Sequence, residues 1–282
     1  MIDSTGKKIG EDSEKPDKEF LLAEIKFFLK GFSNNKTDNK AYTIAKSINE
    51  YLKLGGTDEE ITKLLPKLEE YIEITESEDF LWQMVYIQRE ISSAAMNRLL
   101  KPRFCAECKY RAAQYFDKIC EVEPTTHNNC CRVIEYVFAA LGFEKSKENE
   151  KILPLIEKAE ELFLQIPETD SAIYYTAGRL LYDELHRKLT FDEAEQELEV
   201  LKKVADYAIK LYKARPLKSN LERALFHYLE YCKNNLFSFE AEKDILTELI
   251  KLAENTTGVG METEKYISEL KEILQKFSSN SQ

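Results

Sequence analysis

The residues best suited to metal chemistry are cysteines and a histidine near the middle of the chain. They surround the turn "CEVEPTTHNNCC" and comprise Cys120, His127, Cys130 and Cys131. Thiolate and imidazole are the usual ligands of zinc, but a structural zinc site takes four of them, and this turn offers three without an obvious fourth. Free cysteines are also common as small, buried apolar residues. We therefore expect core packing and no metal or other cofactor, with zinc binding or a regulatory disulfide as the alternatives.

The sequence lacks the familiar catalytic motifs. It has no HExxH, GxSxG, GxxxxGK or GxGxxG pattern, and His186 and His227 have no serine and aspartate nearby in sequence that would complete a triad. Acidic stretches such as "DEAEQELE" at 192–199 are typical of a solvated helix face. We predict that the protein is not an enzyme. An enzyme whose acid and base come from separate helices is the alternative.

Composition restricts the class of protein further. The 282 residues carry a formal net charge of −11 and include only 9 glycines and 7 prolines. Low glycine favours an all-α fold, and the negative charge argues against nucleic-acid binding, since phosphate contacts need a basic face. No apolar run is long enough to span a bilayer, and the first residues lack the apolar core of a secretion signal. We expect a cytoplasmic protein with free thiols and no membrane insertion.

Apolar residues recur with helical spacing along nearly the whole chain. Short polar breaks separate the helices, so consecutive helices are expected to be antiparallel. Asp170 is predicted to cap one of them, and the aromatic residues Phe20, Phe27 and Phe28 are predicted to lie in the core. The predicted helices lie near 18–32, 38–53, 57–75, 78–99, 103–122, 127–142, 148–166, 170–188, 191–214, 219–235, 238–254 and 261–277.

The pattern predicts a single α-helical domain over 18–277. Polar, aperiodic segments at 1–17 and 278–282 are expected to be a disordered leader and tail. Within the domain we expect irregular N-terminal helices at 18–100, the clearest repeats at 103–235 and capping helices at 238–277.

Two sets of residues recur at a nearly constant interval within that domain. Ala112, Ala159 and Ala205 lie 47 and 46 residues apart, and each is followed by large side chains and a proline. A second set keeps an interval of 46 residues and consists of Tyr136, Tyr182 and Tyr228. A repeated pair of antiparallel helices explains both intervals, because such a pair cannot cover its own apolar face and must stack on the next pair.

The segments "YYTAGRLLY" (174–182) and "ADYAIKLYKARP" (205–216) resemble the tetratricopeptide repeat. They show a glycine one turn before an aromatic residue in the first helix, and a small-large face closed by proline in the second. The interval of about 46 residues exceeds the usual value of about 34 and also suits HEAT-type pairs of about 40–47. The resemblance implies antiparallel helical hairpins stacked into an α-solenoid, whose concave groove binds a peptide or helix of a partner.

The first helix of each pair is expected to line that groove. Its candidate partner-binding residues are Tyr136, Arg179, Tyr182 and Tyr228, although the tyrosines also suit packing between repeats. Lys202 and Lys203 form part of a basic stripe for an acidic or phosphorylated segment, or simply complement a helix dipole. The predicted function is a protein–protein interaction scaffold or adaptor. The alternative outside enzymology is a regulatory protein that senses a small molecule or peptide on the same face.

Overall fold

The computed structural model describes residues 17–32, 36–56, 58–94, 102–188, 194–234, 243–256 and 260–280. Within these ranges the all-α prediction is confirmed: thirteen α-helices form a helical repeat-like fold without strands. None of the helices described there combines the length and apolar character needed to cross a membrane. Except for Asp17, the predicted leader at 1–17 falls outside the described residues.

The chain divides into two compact units, Met1–Pro124 and Thr125–Gln282. The boundary falls at Pro124, directly after a long helix. Proline has no backbone N–H and its ring clashes with the preceding turn, so a helix does not continue through it. Pro124 is one of the helix stops that the sequence predicts.

The described part of the first unit contains six helices. The second of these packs against the first and the fifth, and the fifth packs against the sixth. Their apolar faces form a core that includes the fully buried side chains of Ile25, Ile48 and Phe116. The helices are α1 (Lys18–Phe32), α2 (Asp38–Lys53), α3 (Asp58–Leu64), α4 (Pro66–Ile72), α5 (Glu78–Ala94) and α6 (Pro102–Val122).

The single helix predicted at 57–75 is two helices, so that prediction was wrong. Helix α3 ends at Leu64 and α4 begins at Pro66. Proline is tolerated in the first turn of a helix, where its missing N–H has no intrahelical acceptor to lose. The apolar periodicity continues across the break because Ile61, Leu65 and Leu68 are all buried.

The described part of the second unit contains seven α-helices and a short 3₁₀ helix at Asn149–Lys151. The helices α7 and α8 pack together, as do α9 and α10, and α9 also packs against α7. Helix α11 packs against α10 and α13. The seven are α7 (Thr126–Ser146), α8 (Ile152–Leu164), α9 (Ala172–Lys188), α10 (Ala194–Ala214), α11 (Lys218–Asn234), α12 (Lys243–Glu254) and α13 (Met261–Asn280).

The markers of the predicted repeat occupy corresponding places in this order. The three marker tyrosines lie in α7, α9 and α11, and Ala159 and Ala205 lie in α8 and α10. Both alanines are fully buried, as expected where a small side chain lets helices approach closely. Helices α8 and α10 end shortly before Pro167 and Pro216, the predicted stops.

Several helix ends differ from the predictions; α7, for example, ends at Ser146 where the predicted end was 142. Ser171, and not Asp170, accepts the hydrogen bond at the start of α9: the Tyr174 amide donates to Ser171 Oγ at 3.4 Å. Asp170 Oδ1 instead accepts a hydrogen bond from the Tyr175 hydroxyl at 2.8 Å. At the other end of the unit, α13 continues to Asn280, beyond the predicted end at 277.

Candidate functional site

The three marker tyrosines, predicted as candidate groove residues, are interior residues. Tyr136, Tyr182 and Tyr228 are all buried. Tyr228 belongs to an apolar core to which α10, α11, α12 and α13 all contribute side chains. A buried ring has no surface to offer a partner, so the structure favours the packing alternative for these residues.

Tyr182 lies in an aromatic cluster that joins α8, α9 and α10. Its ring stacks on Tyr207 with centroids 5.9 Å apart and meets Phe163 edge-on at 6.1 Å. Tyr174 stacks on Phe163 at 5.0 Å. The glycine of "YYTAGRLLY" permits this packing, because a Cβ at Gly178 would lie 2.9 Å from atoms of the Tyr207 ring. The residues that resemble a tetratricopeptide repeat therefore hold α9 against α10.

The predicted basic stripe is largely paired within the second unit. Lys203 Nζ lies 3.0 Å from Glu199 Oε1 and 5.1 Å from the centroid of the Tyr182 ring. Lys210 Nζ lies 3.1 Å from Glu168 Oε1. Lys202 is exposed on the same helix. The pairing favours the local, helix-stabilising interpretation, because Lys203 already has a carboxylate and an aromatic face beside it.

The cysteine group is arranged for packing. All six cysteines are buried free thiols. Over the described ranges, no group of three or more His, Cys, Asp or Glu side chains is placed to hold a metal ion. His127 Nε2 and Cys131 Sγ lie 3.6 Å apart, one turn from each other on α7. Cys120 and Cys130 are both buried in the interior.

Arg179 is a buried cation whose Nε has no acceptor. The residue exposes only 5% of its surface, and no group in the described ranges accepts a hydrogen bond from Nε. Burial lowers the pKa of Arg179 to about 10; Arg223 acts in the same direction and Asp183 opposes them. Buried guanidinium groups are normally paired, so the surroundings of Arg179 are electrostatically incomplete.

Three residues of α9 interact with three residues of α11. The spacing of four and three residues places each set on one face of its helix. Electrostatic interactions link Arg179 with Arg223, Asp183 with His227, and His186 with Glu230, and each pair is separated by 44 residues in sequence. We name these six residues the α9–α11 ladder: Arg179, Asp183, His186, Arg223, His227 and Glu230.

The pairs of the α9–α11 ladder differ in charge. In the second and third pairs a carboxylate, Asp183 or Glu230, is matched with an imidazole. His186 Nε2 also lies 3.1 Å from a carboxylate oxygen of Glu197 on α10. In the first pair, two guanidinium groups interact with each other. Positive charge is therefore in excess at the Arg179–Arg223 end of the ladder, where Asp183 offsets part of it.

The surroundings of His227 strongly lower the pKa of its ring. Burial lowers the pKa of His227 from 6.5 to about 4, against an opposing contribution from Asp183. Arg179, Arg223 and His186 lower it further, because each disfavours a second positive charge. Near neutral pH the His227 ring is therefore uncharged.

An apolar pocket of about 540 Å³ lies between α1 and α2 in the first unit. Its lining includes the apolar side chains of Phe27, Phe28 and Ile44. Phe27 exposes 72% of its surface, and Phe20, two turns earlier on the same helix, exposes 63%. Gly31 also lines the pocket, and a Cβ there would meet nothing within 4 Å. We name this feature the α1–α2 pocket.

Two lysines at the α1–α2 pocket have no counter-charge among the residues that the structure describes. Lys30 and Lys40 line it and are exposed, and neither forms a hydrogen bond or ion pair with other described residues. The neighbouring Lys26 and Lys36, by contrast, each lie 3.4 Å from a glutamate, Glu60 and Glu70 respectively. The pocket is thus locally positive on a chain whose formal net charge is −11.

The sequence alone does not indicate this pocket, because helical spacing assigns its phenylalanines to the core. That prediction was wrong for Phe20, Phe27 and Phe28, which are exposed. The buried stripe of α1 consists of Leu21, Ile25, Leu29 and Phe32, spaced by three or four residues. This stripe alone satisfies the core-facing side of the helix. The phenylalanines outside it were the available signal of a second apolar surface.

Comparison with models of known protein families finds no match, and comparison with curated proteins finds no relative. The case for function therefore depends on the geometry described above.

Proposed function

We propose that the protein is a non-enzymatic interaction scaffold that binds an amphipathic segment of a partner protein between helices α1 and α2. The observation that carries the proposal is the exposed Phe27 beside the α1–α2 pocket. Apolar patches of this kind with a polar rim are typical of interaction sites. The segment places a large apolar side chain in the pocket and an aspartate or glutamate near Lys30 and Lys40.

The tetratricopeptide-like interpretation is part of the proposal for residues 125–282. It is supported by the consecutive packing of α7 with α8 and of α9 with α10, and by the close approach of Gly178 to Tyr207. In this interpretation the helix pairs stack as a solenoid with units longer than usual. The free state of all six cysteines supports a location in the cytoplasm, where thiols stay reduced.

The test presents the full chain to a random-peptide phage library. We expect selected peptides to share an aromatic or large aliphatic residue close to an acidic one. Gly31→Trp fills the pocket from a position with open space and abolishes binding of these peptides. Leu164→Ser removes a comparably exposed apolar side chain outside the pocket and leaves binding unchanged. Peptides that lack an apolar–acidic consensus, or that bind Gly31→Trp as well as the wild type, refute the proposal.

The positive charge of Lys30 and Lys40 can be tested independently of the pocket. The double variant Lys30→Gln, Lys40→Gln removes both unpaired charges without adding repulsion. We expect it to weaken the selected peptides and to flatten the dependence of their Kd on salt, because exposed charges are screened at high ionic strength. An unchanged salt dependence shows that the acidic residues of the peptides do not meet these lysines.

The volume of the α1–α2 pocket also favours a second candidate, a sensor of a small molecule. About 540 Å³ falls within the range of about 300–1,000 Å³ that is typical of small-molecule sites. Native mass spectrometry of the purified chain separates the two candidates. A bound small molecule that is present in the wild type and missing from Gly31→Trp supports the sensor, whereas unliganded wild type supports the peptide-binding scaffold.

A further inference from the structure

The first pair of the α9–α11 ladder has two cations and no anion. Arg223 is exposed and, like Arg179, forms no hydrogen bond or ion pair through its side chain with the described residues. The carboxylate next to it in sequence, Glu222, accepts a hydrogen bond from Thr263 Oγ1 at 3.2 Å. Asp183, one turn after Arg179, interacts with both Arg179 and His227. This carboxylate is shared between the first two pairs, so the two guanidinium charges of the first pair are compensated only in part.

We propose that Arg179 and Arg223 bind an oxyanion, a phosphate or carboxylate group supplied by a ligand. A guanidinium group presents planar N–H donors that match the geometry of either anion. The buried Nε of Arg179 is a donor that lacks an acceptor, and leaving such a donor unpaired is costly. A bound oxyanion supplies negative charge to two like charges that the described residues compensate only in part.

The position of the pair makes it accessible. Arg223 lies at the surface and Arg179 is buried within electrostatic range of it, so an anion from solvent meets Arg223 first. A chain of net charge −11 repels anions in general, so that binding here must come from local donors. The site lies in the second unit and is independent of the α1–α2 pocket, so either proposal can fail without the other.

The experiment titrates inorganic phosphate into the full chain at constant ionic strength near pH 7, followed by ³¹P NMR. We expect saturable broadening of the phosphate signal. Arg223→Gln is predicted to raise the Kd by about tenfold or more, the equivalent of one hydrogen bond to a charged group. Arg215→Gln removes another exposed arginine of the same unit and is predicted to leave the Kd within about twofold, because no local site depends on it.

The histidines provide a readout that general ionic effects do not move. We expect phosphate to shift the His227 ring signals at the same concentrations, and to leave those of His127 unchanged. Arg179→Met keeps the length of the side chain, removes the charge and abolishes both responses, with folding checked by circular dichroism. The proposal is overturned if Arg223→Gln and Arg215→Gln weaken phosphate binding equally. It is also overturned if Arg223→Gln leaves the Kd for phosphate unchanged.

Competitors distinguish the two forms of the ligand. Displacement of phosphate by acetate indicates a carboxylate ligand, and displacement by O-phosphoserine but not by acetate indicates a phosphoryl group. Both outcomes support the oxyanion site. Phosphate binding that neither competitor reduces contradicts it, because the site is defined by the anion alone.

Discussion

Protonation of His227 is predicted to destabilise the second unit in mild acid. Its pKa is about 4 in the folded protein because the ring is buried, with Arg179, Arg223 and His186 acting in the same direction and Asp183 opposing them. In the unfolded chain the pKa returns to about 6.5. Between these values the unfolded chain binds a proton that the folded chain does not. The free energy of unfolding therefore falls as the pH is lowered through this window.

The size of the effect follows from the two pKa values. At about 1.4 kcal/mol for each pH unit between 6.5 and about 4, the loss is on the order of 3 kcal/mol. A typical domain has a total stability of about 5–15 kcal/mol, so this is a substantial fraction. The loss of unfolding free energy is absent above about pH 7 and is complete only below about pH 4, the pKa in the folded protein.

Two measurements check the prediction. Because the chain has only three histidines, an NMR titration of the ring protons resolves each of them, and the His227 midpoint is expected near pH 4. Urea unfolding at several pH values compares the wild type with His227→Gln, which stays neutral throughout. The free energy of unfolding of the wild type, relative to this variant, should decrease as the pH is lowered from about 7 to about 4. The same measurement on His127→Gln is the matched control. A His227 midpoint between pH 6 and 7, or a pH-independent difference, refutes the reasoning.

Three further predictions concern the second unit. Tyr182→Ala removes a ring from the aromatic cluster and should lower the free energy of unfolding by about 3–5 kcal/mol in urea denaturation; full stability would contradict the packing role. Gly178→Ala should lower the free energy of unfolding by about 1–2 kcal/mol in the same assay, because overpacking against Tyr207 outweighs the gain in helix propensity. A more stable variant would show that the Tyr207 ring moves aside freely. Charge reversal at Lys202 and Lys203 should change stability by less than about 1 kcal/mol and leave the selected peptides bound; peptide loss measured by fluorescence anisotropy would restore the basic stripe as a binding surface.

The zinc alternative has its own test in elemental analysis of the purified protein. We expect less than about a tenth of an equivalent of zinc, because a structural site needs four ligands and the described residues bring no three candidates together. One equivalent per chain, lost in Cys130→Ser and retained in Cys232→Ser, would show that zinc binds at the turn between α6 and α7.

Much of the fold follows from patterns that are local in sequence. The apolar period predicts α5 to α13 closely because the residues that define a helix face are three or four positions apart. Glycine and proline act locally as well: Gly55 ends the turn after α2 with a φ of +78°, a conformation that glycine adopts without strain. The constant interval between the tyrosines predicts a repeated helix pair, and these tyrosines lie in the alternate helices α7, α9 and α11.

The candidate sites depended on tertiary packing instead. Amphipathic spacing shows that α1 has apolar residues on more than one side, but only its packing against α2 decided that Leu21, Ile25 and Leu29 are buried and Phe27 is exposed. Likewise, the sequence by itself determined that Arg179, Asp183 and His186 share one face of a helix, since that spacing is a property of the helix. Only the tertiary structure brought Arg223 within electrostatic range of Arg179, 44 residues away, because the distance between two helices depends on how every intervening helix packs.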